Sequence, residues 1–375
     1  MKIVIAPDSY KGSLESSEVA GHVARAFKDV HPELTVIQKP MADGGEGTLD
    51  ALAAATDHKR QSIRLTGPLG DPIDSSYLIL RNDTVVIEAA SVLGLTLVPT
   101  DQRNPERTTS YGLGEAILDA LDRGYRTFLI ALGGSSTNDG GQGILQALGL
   151  HVQDKQGNPV GSLGKDLYHI DSVDKSTLDP RLEECTFKVA CDVSNPLTGP
   201  NGASHVYGPQ KGASEEQVNQ LDEALNKWGR LLNENNMDTP GAGAAGGLGF
   251  AFLTLGGDLE SGAKLVSEAI ELEEAIKDAD LLITGEGKSD EQTLHGKAPA
   301  FIADLGSEYG VPTILLSGSI EGDRDQLRSK FMSSFSIVPS IVSLDDCMNF
   351  ASDYLYETSV KISRLWGHIL ERSKR

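Results

Sequence analysis

The sequence predicts an α/β fold built on parallel sheets, with its chemistry on Gly- and Asp-rich loops at strand ends. Three observations carry that prediction. Short apolar runs alternate with stretches of helical periodicity, the pattern of parallel strands joined by crossover helices. Small or charged loops follow apolar runs directly at residues 3–20, 128–148 and 280–305, and more loosely at 187–203. In such sheets ligands bind outside the carboxyl ends of the strands.

The elements follow in order. Residues 3–6 are a short apolar run, so a buried strand. Val19, Ala20, Val23, Ala24 and Phe27 recur at helical spacing, with Ser13 or Ser16 as the N-cap. Residues 49–55 form a helix after a glycine cluster, and residues 85–89 a strand. Leu113, Ala116, Ile117, Ala120 and Leu121 mark a helix closed by Gly124. Residues 128–132 are a strand that runs into a Gly/Ser/Asp loop, and 144–148 open the next helix. Residues 187–191 are again a strand, and Val218, Leu221, Leu225, Trp228 and Leu232 form one face of a long helix. Strands at 281–284 and 313–316 flank a helix near 299–309. One amphipathic helix runs from Asp345 to a basic tail. The turn-rich stretch TGPLGDP at 66–72 reads as an internal seam, with a second between 240 and 270.

A chain of 375 residues suggests two domains. With 39% hydrophobic and 23% charged residues it belongs with globular proteins rather than disordered ones. Cys185, Cys191 and Cys347 are too scattered for a disulfide framework or a zinc site and fit a reducing compartment. The apolar run at the start is too short for a signal peptide, and no stretch reaches the ~20 apolar residues of a membrane span, so a cytoplasmic protein is expected. The net charge of −21, from 33 basic and 54 acidic residues, argues against nucleic acid and acidic membrane as partners. Self-association as a homo-oligomer is left open by the sequence. An anionic ligand would need local Lys, Arg and backbone N–H groups to overcome that field.

Five loops are candidates for chemistry. The first, after the first strand, holds Asp8, Ser9, Lys11 and Ser13: a carboxylate for a metal or hydroxyl, an ammonium for an oxyanion, and donors at a helix start. The second holds Asp43, Gly44, Gly45, Glu46 and Gly47, with glycines that permit close backbone approach and two carboxylates among them. It lacks the spacing of a Walker loop. The third runs Gly133, Gly134, Ser135, Ser136, Thr137, Asn138, Asp139, Gly140, Gly141. Its glycines and hydroxyls suit a concave set of N–H groups around phosphate, and Asp139 is a candidate Mg²⁺ ligand. The fourth places Asp192 just past a strand, where a buried carboxylate serves as base or metal ligand. The fifth holds Gly285, Glu286, Gly287 and Asp290, with a carboxylate projecting from a tight turn, and then Gly296 and Lys297, a phosphate clamp near a helix start.

Two lesser stretches remain. The hydroxyls of Thr108, Thr109 and Ser110 sit at a helix start and suit a carboxylate. The small-residue run at 241–249 reads as close packing or a hinge. His58, His151, His205 and His295 have no catalytic partner at recognisable spacing.

Taken in order, APDSYKGS, ADGGEGT, GGSSTNDGGQG, CDVSNPLTGPNGA and TGEGKSDEQTLHGK resemble the motif set of the bacterial-type (type I) glycerate kinases, over essentially the whole chain. The resemblance implies ATP-dependent phosphorylation of D-glycerate with Mg²⁺, usually to 2-phosphoglycerate. It also implies a flavodoxin-like domain built from residues 1–66 and 272–375, an inserted α/β domain over 67–271, and an active site in the cleft. On that basis Gly133 to Gly141 are expected to cradle ATP phosphates, and Asp192 or Asp139 to hold Mg²⁺. Lys11 and Lys297 would neutralise the transferred group or the glycerate carboxylate, and Asp43 or Asp192 would act as base. Two other readings fit the loops: a kinase for another small hydroxy acid, and a non-catalytic nucleotide or acid sensor.

Overall fold

A computed structural model describes residues 1–294, 297–321 and 324–373. His295 and Gly296 of the fifth loop lie outside them. The described strands are β1 (Lys2–Ile5), β2 (Thr35–Gln38), β3 (His58–Thr66), β4 (Pro72–Leu80), β5 (Thr84–Glu88), β6 (Thr127–Ala131), β7 (His151–Gln153), β8 (Ser172–Asp174), β9 (Thr186–Ala190), β10 (Asp258–Glu260), β11 (Leu281–Ser289), β12 (Thr313–Ile320) and β13 (Ser333–Ser336). The chain divides into two compact units. One comprises residues 1–43, 50–56 and 263–375, the other 44–49 and 57–262.

The first unit has a five-stranded, wholly parallel sheet ordered β13-β12-β11-β1-β2. Counted within the unit this is 2-1-3-4-5 from the β2 edge, the flavodoxin-like order, whose strand order reverses between β1 and β11. The apolar runs at residues 3–5 and 281–283 are fully or almost fully buried. The helix Ser16–Val30 packs Val19, Val23 and Phe27 onto them. Its N-cap is Glu15, not Ser13 or Ser16: Glu15 and Glu18 close a capping box. The terminal helix expected from Asp345 is two helices, Leu344–Asn349 and Ala351–Ser373, broken at Phe350.

The second unit has a six-stranded mixed sheet ordered β10-β9-β6-β5-β4-β3. Strands β10, β9, β6 and β5 are parallel neighbours, while β4 and β3 add antiparallel. Phe128 and Phe187 stack at 5.0 Å between ring centroids in its core. A separate ribbon pairs β7 with β8. The stretch at 66–72 is the turn of the β3–β4 hairpin, not a seam: Thr66 pairs with Pro72, Gly67 N–H donates to Asp71 O (2.8 Å), and Gly70 turns at φ +89°. The compact units divide at 56/57 and 262/263 rather than at the expected 66/67 and 271/272; at the first of these β3 stays with β4, with which it pairs along its whole length. Among the described residues no helix is long and apolar enough to cross a membrane.

Candidate active site

Beyond β1 the chain crosses closely over β11. Ala6 N–H donates to Ile283 O (2.7 Å) and Asp8 N–H to Gly285 O (2.8 Å). The Tyr10 hydroxyl reaches on to Leu316 O at 3.0 Å. Small residues fit these approaches: a Cβ on Gly287 would lie 3.2 Å from Tyr10 Cα of the crossing chain, and one on Gly285 2.1 Å from Leu316 O of the neighbouring β12. The Gly-Glu-Gly motif is therefore not a tight turn. Strand β11 continues straight through it to Ser289.

Outside the carboxyl ends of β1, β11 and β12, within the first unit, lies a cavity of about 410 Å³. One part is charged, lined by Asp8, Lys11, Asp43, Glu286, Asp290, Lys297 and Lys288, the last paired with Glu321 at 2.9 Å, with Ser9, Ser13 and Gly287 also in the wall. Asp8 is only 8% exposed. Its carboxyl is raised to about 7, by burial first and the Asp43 charge second, while the Ser9 N–H and Lys11 pull the other way. The Ser9 N–H donates to Asp8 Oδ1 at 2.7 Å. Burial also raises the Glu286 carboxyl, against hydrogen bonds from Thr293 Oγ1 (2.6 Å) and Ser289 Oγ (2.9 Å) to its Oε1. Exposed Lys11 pairs with Asp43 at 3.3 Å, and that charge holds its ammonium above the ordinary lysine range. Lys297 is the N-cap of the helix Ala298–Glu308, and its charge favours ionised Glu286.

The third loop, in the second unit, takes a different form. From Ser135 to Gly141 it is buried, and its polar groups are largely spent on the protein. Ser136 donates to Leu93 O through both N–H and hydroxyl (2.8 Å each), Ser135 Oγ to Ala245 O (3.0 Å), and Gly140 N–H to Gly246 O (3.0 Å). Lys211 Nζ, wholly enclosed, donates to Thr137 O (2.6 Å) and Ser135 Oγ (3.2 Å). Burial brings that ammonium down to about 7, with Asp139 opposing. Asp139 is fully buried and accepts from Ser110 N–H (2.8 Å), Ser110 Oγ (2.7 Å), Gly141 N–H (3.0 Å) and Gly143 N–H (3.4 Å). Asp139, expected as a Mg²⁺ ligand, has both carboxylate oxygens engaged by the protein's own donors and anchors the loop. The carboxylate that the hydroxyls at 108–110 suit is the protein's own.

The loop's glycines serve backbone-on-backbone packing. A Cβ on Gly141 would lie 2.2 Å from Ala251 Cβ, and one on Gly246 2.0 Å from Thr137 O. The run at 241–249 is thus the packing partner of the third loop. The expected phosphate cradle at Ser136, Thr137, Gly140 and Gly141 is closed, and Gly133 and Gly134 are its only members not buried. Gly133 N–H donates to Gly44 O at 3.0 Å, and a Cβ on Gly133 would lie 2.5 Å from Gly45 Cα. Glu46 is exposed. Asp192 is exposed rather than buried, and its Oδ1 accepts from Gly262 N–H at 3.1 Å.

Asp8, Ser9, Lys11, Ser13, Asp43, Glu286, Gly287, Asp290 and Lys297 thus line one cavity, and Asp192, Glu46 and the 133–141 loop do not line it. Tyr10, Thr293 and Lys211 escaped the sequence reading. Tyr10 and Thr293 lie within the motifs APDSYKGS and TGEGKSDEQTLHGK but carry no assigned role there, and Lys211 falls outside all five loops. Among the described residues no group of three or more His, Cys, Asp or Glu side chains could hold a metal. The cavity's carboxylates are oxygen donors of the kind Mg²⁺ takes when substrate phosphates complete its shell.

A flavodoxin-ordered sheet with lysines and raised carboxyls gathered at its switch point defines an α/β enzyme that handles a small, charged ligand. The model of the glycerate kinase family matches residues 3–367. Relatives include the glycerate 2-kinase of Escherichia coli K12 (44% identity; 97% of each chain) and the glycerate kinase of Bacillus subtilis 168 (45%; 97% of each). The crystal structure of a protein assigned as glycerate kinase 2 from Salmonella typhimurium LT2 superposes with a TM-score of 0.88 at 42% identity, covering 99% of both chains. The chain belongs to the glycerate kinase family, and it is a kinase.

Proposed function

We propose that the protein transfers the terminal phosphoryl group of ATP to D-glycerate, with Mg²⁺, and that the reacting groups meet at the charged end of the first unit's cavity. The observation that carries this reading is Asp8, a nearly enclosed carboxyl lifted to about 7 beside Lys11. A base poised near neutrality accepts the proton of an attacking hydroxyl without being permanently protonated or too weak. Asp8 therefore takes the role that the sequence left between Asp43 and Asp192. Asp43 positions Lys11 through their ion pair. Lys11 and Lys297 face the negative charge on the transferred group, where fixed cations count most. Asp43 and Asp290 are the carboxylates suited to Mg²⁺, which when bound supplies charge neutralisation across the terminal phosphates.

The 2-phosphate is the proposed product, supported by the name of the Escherichia coli relative. The proposed setting is the cytoplasm, supported by three free cysteines. The test is ADP release by the purified protein with and without D-glycerate and Mg²⁺, with the phosphate position read by NMR. ADP release that requires D-glycerate, rather than lactate, tartronate or a simple sugar, supports the reading. Release independent of D-glycerate overturns it.

A further inference from the structure

We propose that the uncharged end of the same cavity is the nucleotide-base subsite, formed by the segment between β13 and the helix Ala351–Ser373. This rests on the kinase reading above and adds where the base binds. Beyond the charged groups the cavity wall is Ile337, Val338, Leu344, Met348 and Ala351, with Ser319 offering a hydroxyl. A three-carbon hydroxy acid has little apolar surface, one CH and one CH₂, to set against such a wall. A flat heteroaromatic base has two apolar faces and a polar edge, and about 410 Å³ lies within the range of pockets that enclose ligands of that size.

Exposure points the same way. Leu344 is 76% exposed and Met348 36%, so the wall presents apolar side chains to water until something covers them. The wall is also fixed to the charged end. Ser13 Oγ donates to Met348 O at 3.1 Å, tying the helix Leu344–Asn349 to the loop that carries Asp8 and Lys11. Gly12, at φ +79°, has no Cβ where one would lie 3.0 Å from Met348 Cε. Behind the wall, Ile337 N–H donates to Ser317 O (2.9 Å) and Ser336 Oγ to Gly318 O (2.9 Å), holding the turn after β13 against β12. A base on this wall would direct its phosphates toward Lys11 and Lys297, cations at the acid–base end.

Cys347 lies in the wall and reports on it, because Cys185 and Cys191 belong to the other unit. The test is iodoacetamide alkylation of the full-length protein, read for Cys347 by peptide mass spectrometry. Adenosine alone and MgATP are expected to slow Cys347 labelling at least about fivefold, leaving Cys185 unchanged, while D-glycerate alone does not protect. Labelling unaffected by adenosine, or slowed by D-glycerate alone, overturns the subsite. A second arm uses Leu344→Ser with Met348→Ser, which removes exposed apolar surface. The KM for ATP is expected to rise about tenfold with the KM for D-glycerate within about twofold, and an unchanged KM for ATP overturns the subsite. If the wild type makes ADP with D-glycerate but Cys347 is unprotected, the subsite alone fails. If it makes none, the proposed D-glycerate reaction fails.

Discussion

After β1 the chain carries Asp8 into an open cavity, with one N–H donor on its carboxylate and a lysine nearby. After β6 it folds Asp139 inward, under four donors that use both carboxylate oxygens. Both carboxylates are buried and both are pushed up by desolvation. The difference lies in what compensates the burial. Asp139 is solvated by its own protein and holds two loops together. Asp8 is under-solvated in the same sense and faces space that a ligand can fill. A buried acid is a chemical site where the protein leaves its charge incompletely compensated, and a structural anchor where it does not.

Asn in place of each acid separates the two roles. Asp8→Asn should lower kcat about 10²–10⁴-fold, the usual contribution of a positioned base, with KM little changed. The same change should stabilise the ligand-free protein. Because the folded-state value lies near 7 and the unfolded one near 3.8, Asp8 costs stability as pH rises from about 4 to about 7 and then stays ionised. At pH 8 Asp8→Asn should therefore raise Tm, by roughly 2–4 °C in a thermal melt.

Asp139→Asn should act in the opposite sense. Its new NH₂ faces N–H or O–H donors whichever way the amide turns, so stability should fall by roughly 3 kcal/mol in urea unfolding. At a temperature where the variant stays folded, kcat should be close to wild type. A variant with wild-type stability and lost turnover would move the chemistry to the third loop.

Much of this was legible in the sequence. The strands at residues 3–5, 128–131 and 187–190 are apolar runs with small or charged loops after them, and buried parallel strands look like that. The charged cavity was readable residue by residue, since Asp8, Lys11 and Asp43 sit in turn-rich stretches, Glu286 between two glycines and Lys297 at a helix start. Strands β3 and β4 were not, because their alternating polar faces and the Gly-Pro turn between them look like linker. The third loop misled for a different reason. Glycines that let Gly141 and Gly246 pack against other backbone look in sequence like glycines that open a backbone to phosphate. The direction of the N–H groups separates the two cases, and it depends on Ser110, Lys211 and Gly246, all distant in the chain.

Lys11→Met should have a smaller effect, lowering kcat/KM by about 10–100-fold through loss of a fixed charge opposite the phosphoryl group. It should also move the ionisation of Asp8 to higher pH, because Lys11 favours the carboxylate.

That ionisation is the most direct handle on Asp8 as the base. The measurement is the pH profile of kcat/KM for wild type and for the residual activity of Asp8→Asn. The wild type should show an ascending limb with an apparent pKa near 7, as Asp8 loses its proton, and the variant should lose that limb. The same limb in Asp8→Asn, or turnover within twofold of wild type, would contradict the assignment of Asp8 as the base.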